Sequence, residues 1–377
     1  MLPVKFRAVV VAAALAAAVH TSASVAATPS VDAKAYEVVN AATGEVLLTH
    51  NAREQLPMAS ITKLMTVLIA LERSKPGDVV TVDPAAVGVT GSGVGLRAGE
   101  RLTVRELVAA ALIQSANDAA LALAAHVAHG DEDAFVAMMN RRARELGLRS
   151  THFERADGLD VAGHVSSAHD LNRLAQLAMR QPVVRSLVAQ RDATITGHSL
   201  HTWNDLLGQF PGLIGVKTGH TGNAGWCQVA AVRGPGFTVY ATILGSPTRS
   251  ERNVDLTELL AYGMSQYRFV PVIRTGRTYA TAELPYGRDA LALVAAKPVK
   301  RPVRLARGLT ERVVAPTAVE LPVRKGTKLG EVRVYDRGRM VARSPLVASR
   351  SVDAPGTTGK VGWYARRTLH HLGGLFS

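Results

Sequence analysis

The placement of strand-like segments along the chain constrains its fold more than any other feature. Lys34–Leu48 alternates in polarity, is rich in β-branched residues and reverses at Ala42-Thr43-Gly44, so it reads as two strands around a turn. After Pro57 the period becomes helical, with Ile61, Leu64, Met65, Leu68, Ile69 and Leu71 on one apolar stripe. Further helical stretches follow at Val104–Ser115, Ala116–Ala128, Ala134–Leu146 and Ala168–Met179. Strand character returns at Leu213–Lys217, Trp226–Arg233 and Gly236–Leu244, and a helix near Val254–Tyr267 closes the region. Strands at both ends of a helical middle predict an α+β domain in which one antiparallel sheet is built from both ends of the segment, with helices packed on it.

Roughly 350 residues remain after the N-terminus is set aside, more than one core usually supports, so a second, smaller domain is expected. From about Val270 the pattern changes to short strands punctuated by Gly and Pro, including a hairpin of Lys328–Tyr335, a turn at Asp336-Arg337-Gly338, and Met340–Arg343. The expected organisation is a main domain over 28–269, a small all-β domain over 270–353, a linker over 354–360 and a terminal helix over 361–377. In that last segment Tyr364, Ala365, Thr368, Leu369, Leu372, Leu375 and Phe376 fall with Val361 within an arc of about 140°, opposite Arg366, Arg367, His370 and His371. A basic amphipathic helix of this kind suits an anionic membrane surface.

At the other end, Lys5 and Arg7 precede an apolar run from Ala8 to Val19 and small residues ending at Ala27. The run is too short to cross a bilayer and reads as a secretory signal peptide over 1–27, so the protein is expected to be exported, to the periplasm or the outer face of the cytoplasmic membrane. The single cysteine, Cys227, cannot form an internal disulfide and lies far from any Cys/His cluster, so neither a metal nor another cofactor is expected. The net charge of +14 is uneven: residues 28–270 hold 22 Lys/Arg against 23 Asp/Glu, whereas 271–377 hold 20 against 7. For an exported chain, that basic third points to anionic lipid or wall polymer and not to nucleic acid.

Three short motifs occur in order: Ser60-Ile-Thr-Lys63, Ser115-Ala-Asn117 and Lys217-Thr218-Gly219. Each alone is weak, and capping or an edge-strand lysine would explain it; their order and context carry the reading. Ser60 begins a predicted helix, so Lys63 projects from the same face about one turn on and can approach the hydroxyl. Lysine becomes a general base only when desolvation or a second cation lowers its pKa, and Lys217 is a candidate for that cation. Ser115 and Asn117, between two predicted helices, offer a proton relay and a grip on a peptide. Lys217, Thr218 and Gly219 end a predicted strand, where an ammonium, a hydroxyl and a residue without a side chain suit a substrate carboxylate and a closely approaching peptide.

With Pro57–Thr66, Ser115–Asp118, Lys217–Thr221, Asn40–Leu47, Asp157–Asp160, Ser166–Asp170, Arg252 and Leu259–Gly263, the chain resembles the low-molecular-mass penicillin-binding proteins of the serine-type D-alanyl-D-alanine carboxypeptidase family. The resemblance implies a β-lactamase/transpeptidase-like domain followed by a small all-β domain. It implies acylation of Ser60 by peptidoglycan stem peptides and by β-lactams, with Lys63 as base and Ser115 as relay. Asn117 would bind the substrate amide; Lys217 and Thr218, helped by Arg252, its carboxylate; the N–H groups of Ser60 and His220 would form the oxyanion hole. Ala156-Asp157 and Gly222 depart from the family pattern, and no chemistry is expected of them. A D,D-endopeptidase, a class A β-lactamase and a non-catalytic wall-binding scaffold are the alternatives. The lactamase reading lacks a Glu-x-x-Leu-Asn segment, the nearest string being Ala168-His-Asp-Leu-Asn172.

Overall fold

The computed structural model describes residues 27–357 except 306, together with Val361 and Trp363. The predicted signal peptide, apart from Ala27, and the rest of the predicted terminal helix lie outside the described residues. The chain divides into two compact units between Gln266 and Tyr267.

In the first unit, β1 (Ala35–Asn40) and β2 (Glu45–His50) form the predicted hairpin. A 3-10 turn (Ala59–Thr62) leads into α1 (Lys63–Arg73). β3 (Val79–Thr81) pairs with β4 (Arg101–Thr103), and α2 (Val104–Ala109) starts on a capping box in which Thr103 and Glu106 satisfy each other's backbone N–H. A π-turn (Ala110–Gln114) separates it from α3 (Asn117–Ala128), which α4 (Glu132–Glu145), α5 (Ala168–Ala178) and α6 (Pro182–Val188) follow. A small hairpin of β5 (Asp192–Ile195) and β6 (His198–His201) precedes β7 (Leu213–Thr221), β8 (Gly225–Gly234), β9 (Phe237–Ser246) and α7 (Arg249–Ser265).

The strands assemble in the order β2-β1-β9-β8-β7, so β1 meets β9 and the sheet joins both ends of the unit, as expected. Every residue of β1 is buried, because both faces are covered. Glu37 and Thr242 face Asn172 of α5, whereas their opposite-facing neighbours Val38 and Val239 meet α7 at Gly263. Helices therefore sandwich the sheet, with the larger core between it and α1–α6.

Two expectations are corrected. The Lys217-Thr218-Gly219 motif lies inside β7 and does not end a strand; register pairing of Gly219 with Cys227 and Thr221 with Gly225 carries the ladder past the glycine that had read as a terminus. The last helix of the unit starts at Arg249 and not near Val254, because the Thr248 side chain caps the N–H of Glu251. The short elements β3, β4, β5, β6 and α6, too brief for a hydrophobic period, were not read from the sequence.

From Tyr267 to Val352 the described elements of the second unit are all β-strands. β10 (Tyr267–Ile273) pairs with β13 (Val299–Arg304), and β11 (Thr278–Leu284), β12 (Arg288–Ala295), β14 (Thr310–Val314), β15 (Lys328–Asp336) and β16 (Arg339–Ala348) form a sheet ordered β11-β12-β16-β15-β14. The predicted hairpin is β15–β16, and Ile273, Leu291, Leu293, Val332 and Leu346 lie in a separate core. Among the described residues no helix is long and apolar enough to cross a membrane.

Candidate active site

The first motif occupies the 3-10 turn and the first residue of α1. Lys63 is fully buried, which excludes the solvated first-turn lysine that its position alone would allow. Its Nζ lies 2.8 Å from Ser60 Oγ, 2.7 Å from Asn117 Oδ1 and 2.5 Å from the Asp157 carbonyl oxygen. The last two atoms only accept, so they take two N–H groups. The remaining position of the amine faces the serine, and in the neutral form it is the lone pair. Burial lowers the Lys63 pKa to about 7; Asp157 and Asp118 oppose the shift and Arg155 adds to it. Of the two expected causes, desolvation is the larger, and the cation that adds to it is Arg155. The coupling is visible on the other lysine, whose ammonium is disfavoured by burial and then by Lys63.

Ser115 follows the π-turn in the left-handed region, at φ 63°, and this bend sets its side chain toward β7. Its Oγ accepts from Lys217 Nζ at 2.7 Å, and Lys217 also donates to the Thr218 carbonyl at 2.8 Å. Asn117 is the first residue of α3, and its Nδ2 donates to the Thr90 carbonyl at 2.7 Å. Its amide thus spans Lys63 and Thr90 and orients the lysine. Asp118 receives the N–H groups of Val94, Gly95 and Leu96 and so ties the glycine-rich stretch 91–99 to the same helix start.

Gly219 works differently from expectation. A Cβ there would lie 3.0 Å from the Met58 oxygen, 3.1 Å from Ala59 Cβ and 3.1 Å from Ser60 N. The space is filled by the serine's own backbone, so the missing side chain lets β7 lie against the nucleophile. The exposed His220 stacks on Trp226 at 4.0 Å between centroids. Arg252, also expected to meet a carboxylate, is 1% exposed, donates to Asp205 Oδ2 and Asn253 Oδ1, and lies 5.5 Å from the Trp226 centroid. It adjoins the Lys217–His220 strand through Trp226, and its Nε and Nη2 groups donate to Asp205 and Asn253.

The segment of which nothing was expected walls the site. The Ala156 carbonyl accepts from Thr66 Oγ1 at 2.6 Å, and the Asp157 carbonyl holds Lys63. The fully buried Asp157 carboxylate is gripped by Arg155 through Nε and Nη2, at 2.9 and 2.8 Å. The contacts to Thr66 and Lys63 are made by backbone oxygens, which residue identity does not announce. His164, 3% exposed and bonded to Thr62, was missed for another reason: 102 residues separate the partners. Among the described residues no group of three or more His, Cys, Asp and Glu is placed to hold a metal.

Residues 21–248 match the family described as D-alanyl-D-alanine carboxypeptidase, and residues 267–354 match the C-terminal domain of penicillin-binding protein 5. The chain is 30% identical over 339 residues to the D-alanyl-D-alanine carboxypeptidase DacF of Bacillus subtilis, covering 86% of this chain and 87% of that one. It is 31% identical over 359 residues to DacD of Salmonella typhimurium, covering 90% and 89%. Among solved structures, penicillin binding protein 6B from Escherichia coli superposes with a TM-score of 0.64 at 28% identity, over 86% of this chain and 97% of its own.

Proposed function

This chain belongs to the D-alanyl-D-alanine carboxypeptidase family, and on that premise we propose a role for each residue of the site. The protein is a penicillin-binding serine D-alanyl-D-alanine carboxypeptidase. Ser60 attacks the carbonyl of the penultimate D-alanine of a peptidoglycan pentapeptide stem, the terminal D-alanine leaves, and water hydrolyses the ester. Lys63, neutral in a large fraction at neutral pH, takes the serine's proton. Ser115 passes a proton to the departing amine. Asn117 turns part of its amide to the substrate, and Lys217 with Thr218 holds the terminal carboxylate. Arg252, held beside Trp226 by Asp205 and Asn253, helps them. The backbone N–H groups of Ser60 and His220 receive the developing oxyanion, commonly the largest catalytic contribution. β-Lactams acylate the same serine.

The observation that carries this reading is the 2.8 Å approach of a buried amine to Ser60 Oγ, while a second buried amine sits 2.7 Å from Ser115 Oγ. Purified protein is expected to bind a fluorescent penicillin covalently, and Ser60→Ala to stay dark; labelling that survives that substitution refutes the assignment. Release of D-alanine from a pentapeptide separates the carboxypeptidase from an endopeptidase. We further propose that residues 1–27 direct export, that 28–269 and 270–353 are the functional domains, and that 354–360 links them to a membrane-associating helix at 361–377. Deleting 359–377 is expected to move the protein to the soluble fraction; retention on membranes excludes that helix as the anchor.

A further inference from the structure

Thr62, the third residue of the first motif, directs its hydroxyl to Ala59 and His164 and not to Ser60 or Lys63, and it is completely buried. Its Oγ1 donates to the Ala59 carbonyl at 2.8 Å and lies 2.7 Å from His164 Nε2. The tautomer of His164 follows from its other nitrogen. The Glu154 backbone N–H donates to Nδ1 at 2.9 Å, so Nδ1 bears a lone pair and Nε2 bears the hydrogen. The donors then run in one direction, from His164 Nε2–H to Thr62 Oγ1 and from Thr62 O–H to the Ala59 oxygen.

The target of this chain is a residue under strain. Ala59 has φ 50°, in the left-handed region that a residue bearing a Cβ rarely occupies, and it immediately precedes the nucleophile. Its carbonyl belongs to the same peptide group as the Ser60 N–H. In a trans peptide the two bonds point in opposite directions within one plane, so fixing the oxygen fixes the hydrogen. Gly158 closes the remaining side: a Cβ there would lie 2.3 Å from the Ala59 oxygen and 2.9 Å from Thr62 Oγ1.

We propose that His164 and Thr62 are positioning residues that orient and polarise the Ser60 peptide group as an oxyanion donor. The inference rests on the oxyanion role proposed above for the Ser60 N–H. Each hydrogen bond in such a chain strengthens the next, so withdrawing electron density at the carbonyl makes the N–H on the other side a better donor. The effect falls on the tetrahedral species and not on the bound ground state, which predicts a change in kcat and acylation rate with little change in KM.

Two substitutions test it in the full-length protein. Thr62→Val keeps the side-chain shape and removes the hydroxyl; His164→Leu removes the ring donor, whereas His164→Gln keeps an N–H at the place of Nε2. Thr62→Val and His164→Leu are expected to slow penicillin acylation and D-alanine release by about tenfold or more, since removing an oxyanion donor outright costs on the order of a hundredfold or more. They are also expected to weaken a peptide boronic acid, which forms the tetrahedral adduct, by a similar factor at unchanged KM, with His164→Gln recovering most of the loss. Equal boronate affinity in wild type and Thr62→Val, with both folded by thermal melting, overturns the proposal. So does a loss confined to KM. The oxyanion reading itself is checked separately in the wild type by selective 15N-serine labelling: the Ser60 amide proton is expected to move downfield when the adduct forms. Absence of that movement brings down the premise, whereas its presence with an unaffected Thr62→Val brings down the relay alone.

Discussion

Asn117→Asp places a carboxylate where the amide oxygen now sits, 2.7 Å from Lys63 Nζ, with almost no change of shape. Two unit charges about 4 Å apart interact by about 4 kcal/mol at an effective dielectric of about 20. At about 1.4 kcal/mol per pH unit, that is about three units in favour of the ammonium. The sign is upward: an anion stabilises the charged amine, so the Lys63 pKa climbs from about 7 toward the ordinary lysine value of 10.5. The neutral amine is the base, so activity is gained as the ammonium loses its proton. Wild-type acylation by a fluorescent penicillin is therefore expected to rise about tenfold per pH unit in acid and to level off just above pH 7. In Asn117→Asp the rise continues through about pH 9, and the rate at neutral pH falls on the order of a hundredfold or more. The midpoint decides the matter, because Asn117 is also assigned to substrate and its loss lowers the amplitude for that reason alone. A variant whose profile turns at the wild-type pH, merely lower, refutes the reasoning that burial poises Lys63 as the base. A wild type that keeps rising into the ordinary lysine range refutes it more directly.

The same burial has a signature in stability. Between about pH 7 and 10.5 the unfolded chain holds a proton on Lys63 that the folded chain lacks, so this group makes the protein more stable as pH rises through that window. Lys63→Met removes the dependence, and its melting temperature relative to wild type is expected to be most favourable at or below pH 7 and to lose that advantage toward pH 10; a pH-independent difference contradicts a depressed lysine. Gly219→Ala forces a methyl group to about 3 Å from the backbone atoms at Met58 and Ser60 and is expected to cost tenfold or more in acylation through misplacement of the nucleophile. Wild-type acylation by Gly219→Ala, measured with the same penicillin, excludes that close packing as a catalytic requirement.

Much of this site was legible because its residues do their work through side-chain type and local spacing. Ser60 and Lys63 stand three apart at a helix start, and any helix brings such a pair to one face. Where the work is done by backbone atoms, the sequence is nearly mute. The carbonyl of Asp157 binds Lys63 whatever its side chain, which is why Ala156-Asp157 had been given no chemistry. Gly219 was read as room for substrate, since a glycine records only that something comes close and not what. Arg252 is expected beside a substrate carboxylate because its type suits one; that its Nη2 also meets Asp205, 47 positions away, is decided by the fold.

Periodicity alone determined that the strands of the first domain come from both ends of a helical middle, and that a β-rich segment follows. It did so because burying an apolar stripe or an alternating face is a demand each segment makes by itself. Tertiary structure decided how far the second lysine lies from the first, which carbonyls close around the amine, and that His164 stands behind the nucleophile's peptide group. Those are distances between segments remote in the chain, and the pKa of a buried amine depends on such distances and on the exclusion of water, neither of which is written in the order of residues.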